Sequence, residues 1–133
     1  MGELAGQPQM MWPDHCIQGT EGAKFMEGLV IKKDDVVIQK GTDTSIDSYS
    51  AFSDNQDRNE TELAKKLKER GIKHVNTCGL AAEYCVAFTA LGAKERKFNT
   101  TFLKDLTYGI TQKDIDAKIK LMKEKGIVVK NGL

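Results

Sequence analysis

Read from the amino terminus, the pattern of apolar and polar positions changes character several times, and each change predicts an element. The first eleven residues, with Gly2, Gly6 and Pro8, show no period and predict an irregular lead-in over 1–10. Residues 35–39, DVVIQ, are a β-branched run ended by Lys40-Gly41, which predicts a buried strand of a parallel sheet. Residues 42–58 are rich in Asp, Ser and Thr and predict a loop long enough to be either functional or disordered. From Asn59 the pattern turns helical. Asn59 and Glu62 make a capping-box pair, Leu63 and Leu67 share a face, and Gly71 closes the helix. Residues 72–77 predict the next strand, and a second helix runs over 84–94 with Val86, Ala87, Ala90 and Leu91 facing the sheet. A strand is expected at 99–103. Thr111 then caps a last helix with Asp114, Ile115, Ile119 and Met122 form its stripe, Gly126 ends it, and 127–129 is a final strand.

Strands alternating with helices predict an α/β protein with a mostly parallel sheet. The 133 residues are one domain's worth of chain, and the only prolines, Pro8 and Pro13, leave no interior linker. A single unit over 1–133 is expected.

Charge narrows the partners. With 20 Lys and Arg against 19 Asp and Glu, the formal net charge is +1, so no global field draws the chain to nucleic acid or to an anionic membrane. A small neutral molecule is the expected partner, with a homo-oligomer as the other association considered. No secretory leader, acylation signal or apolar span of membrane length is present, and a soluble cytoplasmic protein is expected. Three cysteines, Cys16, Cys78 and Cys85, are an odd number and predict free thiols.

Cys85 follows a strand (HVNTCG) and a short turn (LAAE) and opens a helix. That placement puts the sulfur at the carboxyl ends of the strands, where α/β proteins hold their sites. A helix start also favours thiolate, and backbone N–H groups of the turn offer an oxyanion hole. By itself a lone cysteine is more often an inert packed thiol. Lys40, ending its run, reaches the same sheet edge as a cation able to hold a thiolate, although a lone lysine is more often simply solvated. Trp12, Asp14 and His15 bring a flat aromatic, a carboxylate and an imidazole into five residues, WPDHC, and one histidine does not make a metal site. His74, inside an apolar strand, reads as a structural histidine. No GxGxxG, GxxxxGK[ST], GxSxG or HExxH occurs. The basic faces at 65–70 and 118–125 read as solvated.

Taken together, three ordered segments resemble the nicotinamidase group of the isochorismatase-like cysteine hydrolases. WPDHCIQGTEGAKF is similar to that family's tryptophan, histidine and GT.GA segment, KGTDTSIDSYSAFSDN to its lysine loop with the YSAF signature, and CGLAAEYCVAFTALGA to its nucleophile turn and helix. NTTFLKDLTYGIT resembles the strand and loop that follow. The resemblance implies a three-layer αβα fold and hydrolysis of nicotinamide to nicotinate and ammonia through a cysteine thioester, in NAD salvage. It implies Cys85 as nucleophile, Lys40 as the lysine of an Asp-Lys-Cys triad, and the N–H groups of Ala81 and Cys85 as oxyanion hole around a cis Leu80–Ala81 bond. Trp12 is the implied stacking platform, Tyr49 of YSAF a pocket wall, and His15 one ligand of a divalent metal, zinc or a similar ion.

The departures are equally specific. The family's D.Q..F stretch with the catalytic aspartate and its D.H stretch with further metal ligands do not occur in the sequence, so the chain is expected to be an N-terminally truncated member lacking the first strands. Asp14, Asp43, Asp47 and Glu83 have no geometric claim to replace the aspartate, and metal binding through His15 alone is expected to be weak. Gly92 stands where the family often has Asp, Lys97 where Gly commonly precedes the aromatic, and Asn76 in a strand expected to be apolar. Two further readings follow from these departures and from the family's breadth: a non-catalytic member acting through association with another chain, and a hydrolase of a different small amide such as a ureido acid.

Overall fold

Ala5 and Gly6, at φ 50° and 75°, stand in the left-handed region in the computed structural model, which describes residues 1–133. Two successive residues of this kind make the two-residue turn whose twist matches that of paired strands. They join β1 (Gly2–Leu4) to β2 (Gln7–Gln9) as an antiparallel hairpin, with Glu3 opposite Pro8. The irregular lead-in expected over 1–10 is corrected accordingly: strands of three residues are too short to show a period, and the turn was the signal. The hairpin belongs to the first of two compact units, Met1–Val37, which also holds a 3-10 turn at Glu21–Ala23; the second unit is Ile38–Leu133.

The strand expected at 35–39 does not form. Val36 is 38% exposed, Val37 50%, and neither sheet of the protein includes the run. β-branched residues become a strand only where a ladder partner takes their N–H and C=O groups, and this run has none.

The second unit is α/β. After α1 (Leu63–Glu69) come β3 (His74–Leu80), a π-helical turn (Ala82–Val86) running into α2 (Ala87–Glu95), β4 (Asn99–Tyr108), α3 (Gln112–Glu124) and β5 (Val128–Lys130). The three strands form a parallel sheet in the order β3-β4-β5. Register places Val75 beside Thr100 and Thr77 beside Phe102, then resumes with Gly79 beside Thr107 and Leu80 beside Tyr108. Residues 103–106 are therefore an excursion of β4, closed by the Thr107 hydroxyl donating to the Leu103 carbonyl at 2.7 Å. That excursion is why the sequence pattern ends the strand at 103 while the strand itself continues to Tyr108.

Phe102 of β4 and Ile127 before β5 pack with Ala82, Val86, Ala87, Ala90 and Met122, and Ile115 and Ile119 close over them. Phe102 and Met122 are 1% and 0% exposed, burial that stabilises by roughly 1.5–3 kcal/mol for each side chain of this size. A second cluster joins Phe52, Ala93 and Phe98 to Leu63, Leu67 and Val75, and so fastens α1 and the 42–58 loop to α2. His74 Nε2 is bonded to the Thr101 hydroxyl at 2.9 Å, and Asn76 is exposed on the same strand.

The long loop is packed, with Ile46, Ser48, Ser50, Phe52, Ser53 and Asp54 all buried. Asp54 organises it. Its carboxylate accepts the backbone N–H groups of Gln56, Arg58 and Asn59 at 3.1, 2.9 and 2.8 Å and the Asn59 amide at 2.8 Å. Asn59 is thus spent on Asp54 and does not cap α1, whose first turn instead has the Thr61 hydroxyl accepting from the Leu63 N–H at 3.2 Å. The three helices end alike: the residue after the cap is left-handed in each, Gly71 at φ 68°, Lys97 at 70° and Gly126 at 79°. The following N–H reaches back to Leu67, Ala93 and Met122 respectively, in the Schellman arrangement.

Two predictions follow from these anchors. Lys97 alone among the three caps pays the side-chain penalty of the left-handed region, so Lys97→Gly is expected to raise stability by about 0.5–1 kcal/mol, read as a higher urea midpoint; an unchanged or lower midpoint refutes it. Burial of Asp54 works against its ionisation, but the hydrogen bonds from Arg58, Gln56 and Asn59 outweigh it and hold the carboxyl below its ordinary value. Because the folded carboxyl binds its proton less tightly than the unfolded one, its contribution is fully present above the unfolded pKa. The contribution is lost as pH falls through the lower folded value. Urea midpoints from about pH 6 to about pH 3 are expected to fall less steeply for Asp54→Asn than for the native chain.

Candidate functional site

β3 ends at Leu80, and the Leu80–Ala81 peptide bond is cis. Ala81 is extended (φ −94°, ψ 144°), and its carbonyl accepts both the Tyr84 and the Val86 N–H at 3.1 Å. The second of these bonds spans five residues, which widens the first turn of the helical run. Such π turns recur at functional sites because they re-aim one side chain. Here Ala82, Glu83 and Val86 point inward and are buried, while Cys85 is half-buried.

Lys40 meets it from the other segment. Its ammonium donates to Cys85 Sγ at 3.4 Å and to the Ser48 carbonyl at 2.7 Å. The second bond fixes the cation against the loop, so Lys40 is aimed by residues 48–55 and not by a strand of its own. Those residues are held in turn. Ser48 N–H donates to Asp47 Oδ1 at 2.8 Å, Tyr49 N–H to Asn55 Oδ1 at 3.0 Å, and Ala51 N–H to the Thr89 hydroxyl of α2 at 2.9 Å. Gly92 lies directly below, where a β-carbon would stand 3.0 Å from Ser50 Oγ and 3.2 Å from Phe52 Cδ2. The bare helix surface at this position is what lets the loop come down onto α2.

Aromatic rings from the loop and the cysteine helix pack on one another. Tyr49 packs edge-on against Tyr84 (5.5 Å between centroids) and tilted against Phe88 (5.4 Å), and the Lys118 ammonium sits 4.4 Å over Phe88. Burial first, and then the negative charges of Asp114 and Glu83 together with Tyr49, push the Tyr84 phenol above its ordinary value, so it stays protonated at neutral pH.

Of the residues singled out in the sequence, Cys85, Lys40, Tyr49 and Ala81 lie in the second unit, and the structure brings Cys85 to Lys40. Trp12 and His15 belong to the first unit, where Trp12 is half-buried and His15 is exposed with Nδ1 2.6 Å from the Pro13 carbonyl. No group of three or more His, Cys, Asp or Glu side chains in the chain is arranged to hold a metal ion, so the residues present do not by themselves fit one. Ser48 and Thr89, which no motif marks, and Glu83, singled out in the sequence only as an acid without a claim to replace the aspartate, make structural contacts at the site. Two act through a carbonyl or a hydroxyl in a loop contact, for which sequence carries no periodic signal. Glu83 was visible as an acid in a helix start otherwise made of small and apolar residues.

The comparisons with known proteins bear on the family and the fold. The isochorismatase domain matches residues 7–131. The nicotinamidase of Acinetobacter baylyi is 42% identical over 103 residues, covering 77% of this chain and 48% of that protein. Among solved structures, an Acinetobacter baumanii nicotinamidase/pyrazinamidase superposes with a TM-score of 0.87 at 40% identity, over 92% of this chain and 60% of its own. The pyrazinamidase of Pyrococcus horikoshii in complex with zinc gives 0.81 at 38% identity, over 92% and 64%. The chain spans about half the length of the curated relatives it matches, 48% in the first case. No helix is long and apolar enough to cross a membrane. With its parallel sheet, its cysteine turn and a match that runs over nearly its whole length, the chain belongs to the isochorismatase family.

Proposed function

We propose that these residues are the nucleophile half of a nicotinamidase-type active site, hydrolysing nicotinamide to nicotinate and ammonia in NAD salvage. The observation that carries the reading is the Lys40 ammonium 3.4 Å from Cys85 Sγ at the carboxyl edge of the parallel sheet. The relatives named above as nicotinamidases and a pyrazinamidase support the choice of a small aromatic amide.

In this reading the Cys85 sulfur attacks the amide carbon, and the electron pair of the C=O bond moves to oxygen. The N–H groups of Ala81 and Cys85 receive that oxyanion. Collapse breaks the C–N bond, the leaving nitrogen takes a proton and departs as ammonia, and a thioester remains on Cys85. Water then attacks the thioester, giving the carboxylic acid and restoring the sulfur, with Lys40 holding the anionic form between turnovers. Tyr49 walls the pocket. No step is routed through a metal because the ligands present do not complete a site. The proton transfers need a general acid and base. Lys40 and Cys85 have no carboxylate among their hydrogen-bond partners, so that group is the missing part.

The test is ammonia release from nicotinamide by the purified chain, with and without an added family segment bearing the aspartate. The chain alone is expected to fall short of the complemented one by about 10²–10⁴, the usual contribution of general acid-base catalysis. Complemented activity is expected to vanish in Cys85→Ala and to drop sharply in Lys40→Met. Ammonia release that survives Cys85→Ala sinks the reading, and faster release from a ureido acid than from nicotinamide transfers it to another amide.

A further inference from the structure

We propose that Glu83 is the positioning residue for Cys85: its buried carboxylate ties the cysteine turn to the loop 109–111 after β4, and so keeps the sulfur on Lys40. The inference deepens the reading of Cys85 as nucleophile and rests on it.

Glu83 is 1% exposed, two residues before a half-buried cysteine on the widened turn. Carboxylates are almost never buried so completely unless they are held, because removing the charge from water is costly without partners. Here Oε1 accepts the N–H groups of Ile110 at 2.6 Å and Thr111 at 2.9 Å. Both donors lie in an exposed connection, Ile110 being 60% exposed, that has little packing of its own. Thr111 is also the cap of α3, its hydroxyl accepting from the Asp114 N–H at 3.3 Å, so the same carboxylate fixes where α3 begins. Oε2 has no hydrogen-bond partner and lies against Gly109, on the side where a β-carbon would stand. A β-carbon at Gly109 would overlap Oε2 and stand 2.8 Å from Ile115 Cδ1, so the carboxylate occupies a cradle that only glycine leaves open.

The two segments the carboxylate joins already lie side by side, since Leu80 pairs with Tyr108 at the end of the sheet. That pairing sets their separation and Ala82 and Val86 root the turn in the core, while Leu80 and Tyr108, each 74% exposed, leave the side of the turn facing the loop without apolar packing of their own. The hydrogen bonds from two successive backbone N–H groups to the Glu83 carboxylate tie that side of the turn to the loop. The sulfur sits two residues further along the same turn, and its contact with Lys40 is long enough, at 3.4 Å, that a small rotation breaks it.

The test is the rate at which iodoacetamide alkylates Cys85 in the 133-residue chain, read from the mass of its peptide, with Cys16 and Cys78 as internal references. Glu83→Ala is expected to slow Cys85 by about tenfold, the effect of removing a cation from a thiolate, and to leave Cys16 and Cys78 unchanged. Glu83→Gln keeps a carbonyl for Ile110 and Thr111 and is expected to stay within about twofold of the native rate. Gly109→Ala displaces the carboxylate without removing it and is expected to match Glu83→Ala, which keeps the question decidable if Glu83→Ala fails to unfold cooperatively in urea. In a Lys40→Met background Glu83→Ala is expected to add less than about twofold, because both changes act on one contact; equal slowing in both backgrounds would mean general loosening and overturns the proposal. Native-rate alkylation in folded Glu83→Ala and Gly109→Ala overturns it as well, while leaving Cys85 as nucleophile. A native Cys85 that reacts no faster than exposed Cys78 overturns both readings together.

Discussion

The parallel pairing of β3 with β4 is the constraint on which the site depends. Four residue pairs from His74–Asn99 to Thr77–Phe102 run in step, β4 then makes its excursion over 103–106, and the ladder resumes at Gly79–Thr107 and Leu80–Tyr108. The first stretch sits over the core through Phe102, and the second has almost no side-chain packing, with Leu80 and Tyr108 both largely exposed. The chemistry therefore begins where the sheet is held by backbone hydrogen bonds alone. Such a margin is cheap to reshape, and here local polar contacts fix it: the Ala81 carbonyl with two N–H groups, Lys40 with the Ser48 carbonyl, Glu83 with the loop beyond β4.

A second consequence concerns how a cation is aimed without a strand beneath it. The 42–58 loop has no regular structure to fix Lys40, so aim comes from burial of alternate residues. Ser48, Ser50 and Phe52 go inward, and Tyr49 and Ala51 face the other way. The inward serines satisfy the loop's own carbonyls and N–H groups, Ser48 Oγ reaching the Ser50 and Ser53 carbonyls and Ser50 Oγ taking the Phe52 N–H. Tyr49, turned outward, meets Tyr84 and Phe88 of the cysteine helix. One period-two pattern thus settles both the lysine's position and the aromatic wall, with no strand partner involved.

How much of this was legible in the sequence varies with the kind of signal. The α/β class, the last helix with its Thr111–Asp114 cap, and the strand–turn–helix around Cys85 are written in periodicity and capping chemistry, and the structure repeats them. The family was legible from three ordered segments, and the match over residues 7–131 bears that out. The β-branched run at 35–39 misled because its pattern is correct for a strand while strand formation is decided by a neighbour. Asn59 misled because a capping residue is also a good side-chain ligand, and Asp54, five residues away in sequence, competes for it successfully. The hairpin at Ala5-Gly6 escaped because its strands are shorter than any period. Lys97, noted only as a departure from a family pattern, is a helix terminus carrying the wrong residue for its backbone.

The buried carboxylates show how the present residues divide their labour. Asp54 and Glu83 are the two acidic side chains withdrawn from solvent, and each is spent on backbone N–H groups of a loop. The exposed acids of the loop, Asp43 and Asp47, likewise hold the Ser45 and Ser48 N–H groups. In the proposed reading nucleophile, cation and aromatic wall all fall within Ile38–Leu133, while Asp43, Asp47, Asp54 and Glu83 each accept backbone N–H groups of a loop. In that reading amide hydrolysis calls for a further carboxylate as general acid and base, and this requirement, more than any missing motif, separates forming a thioester from turning over.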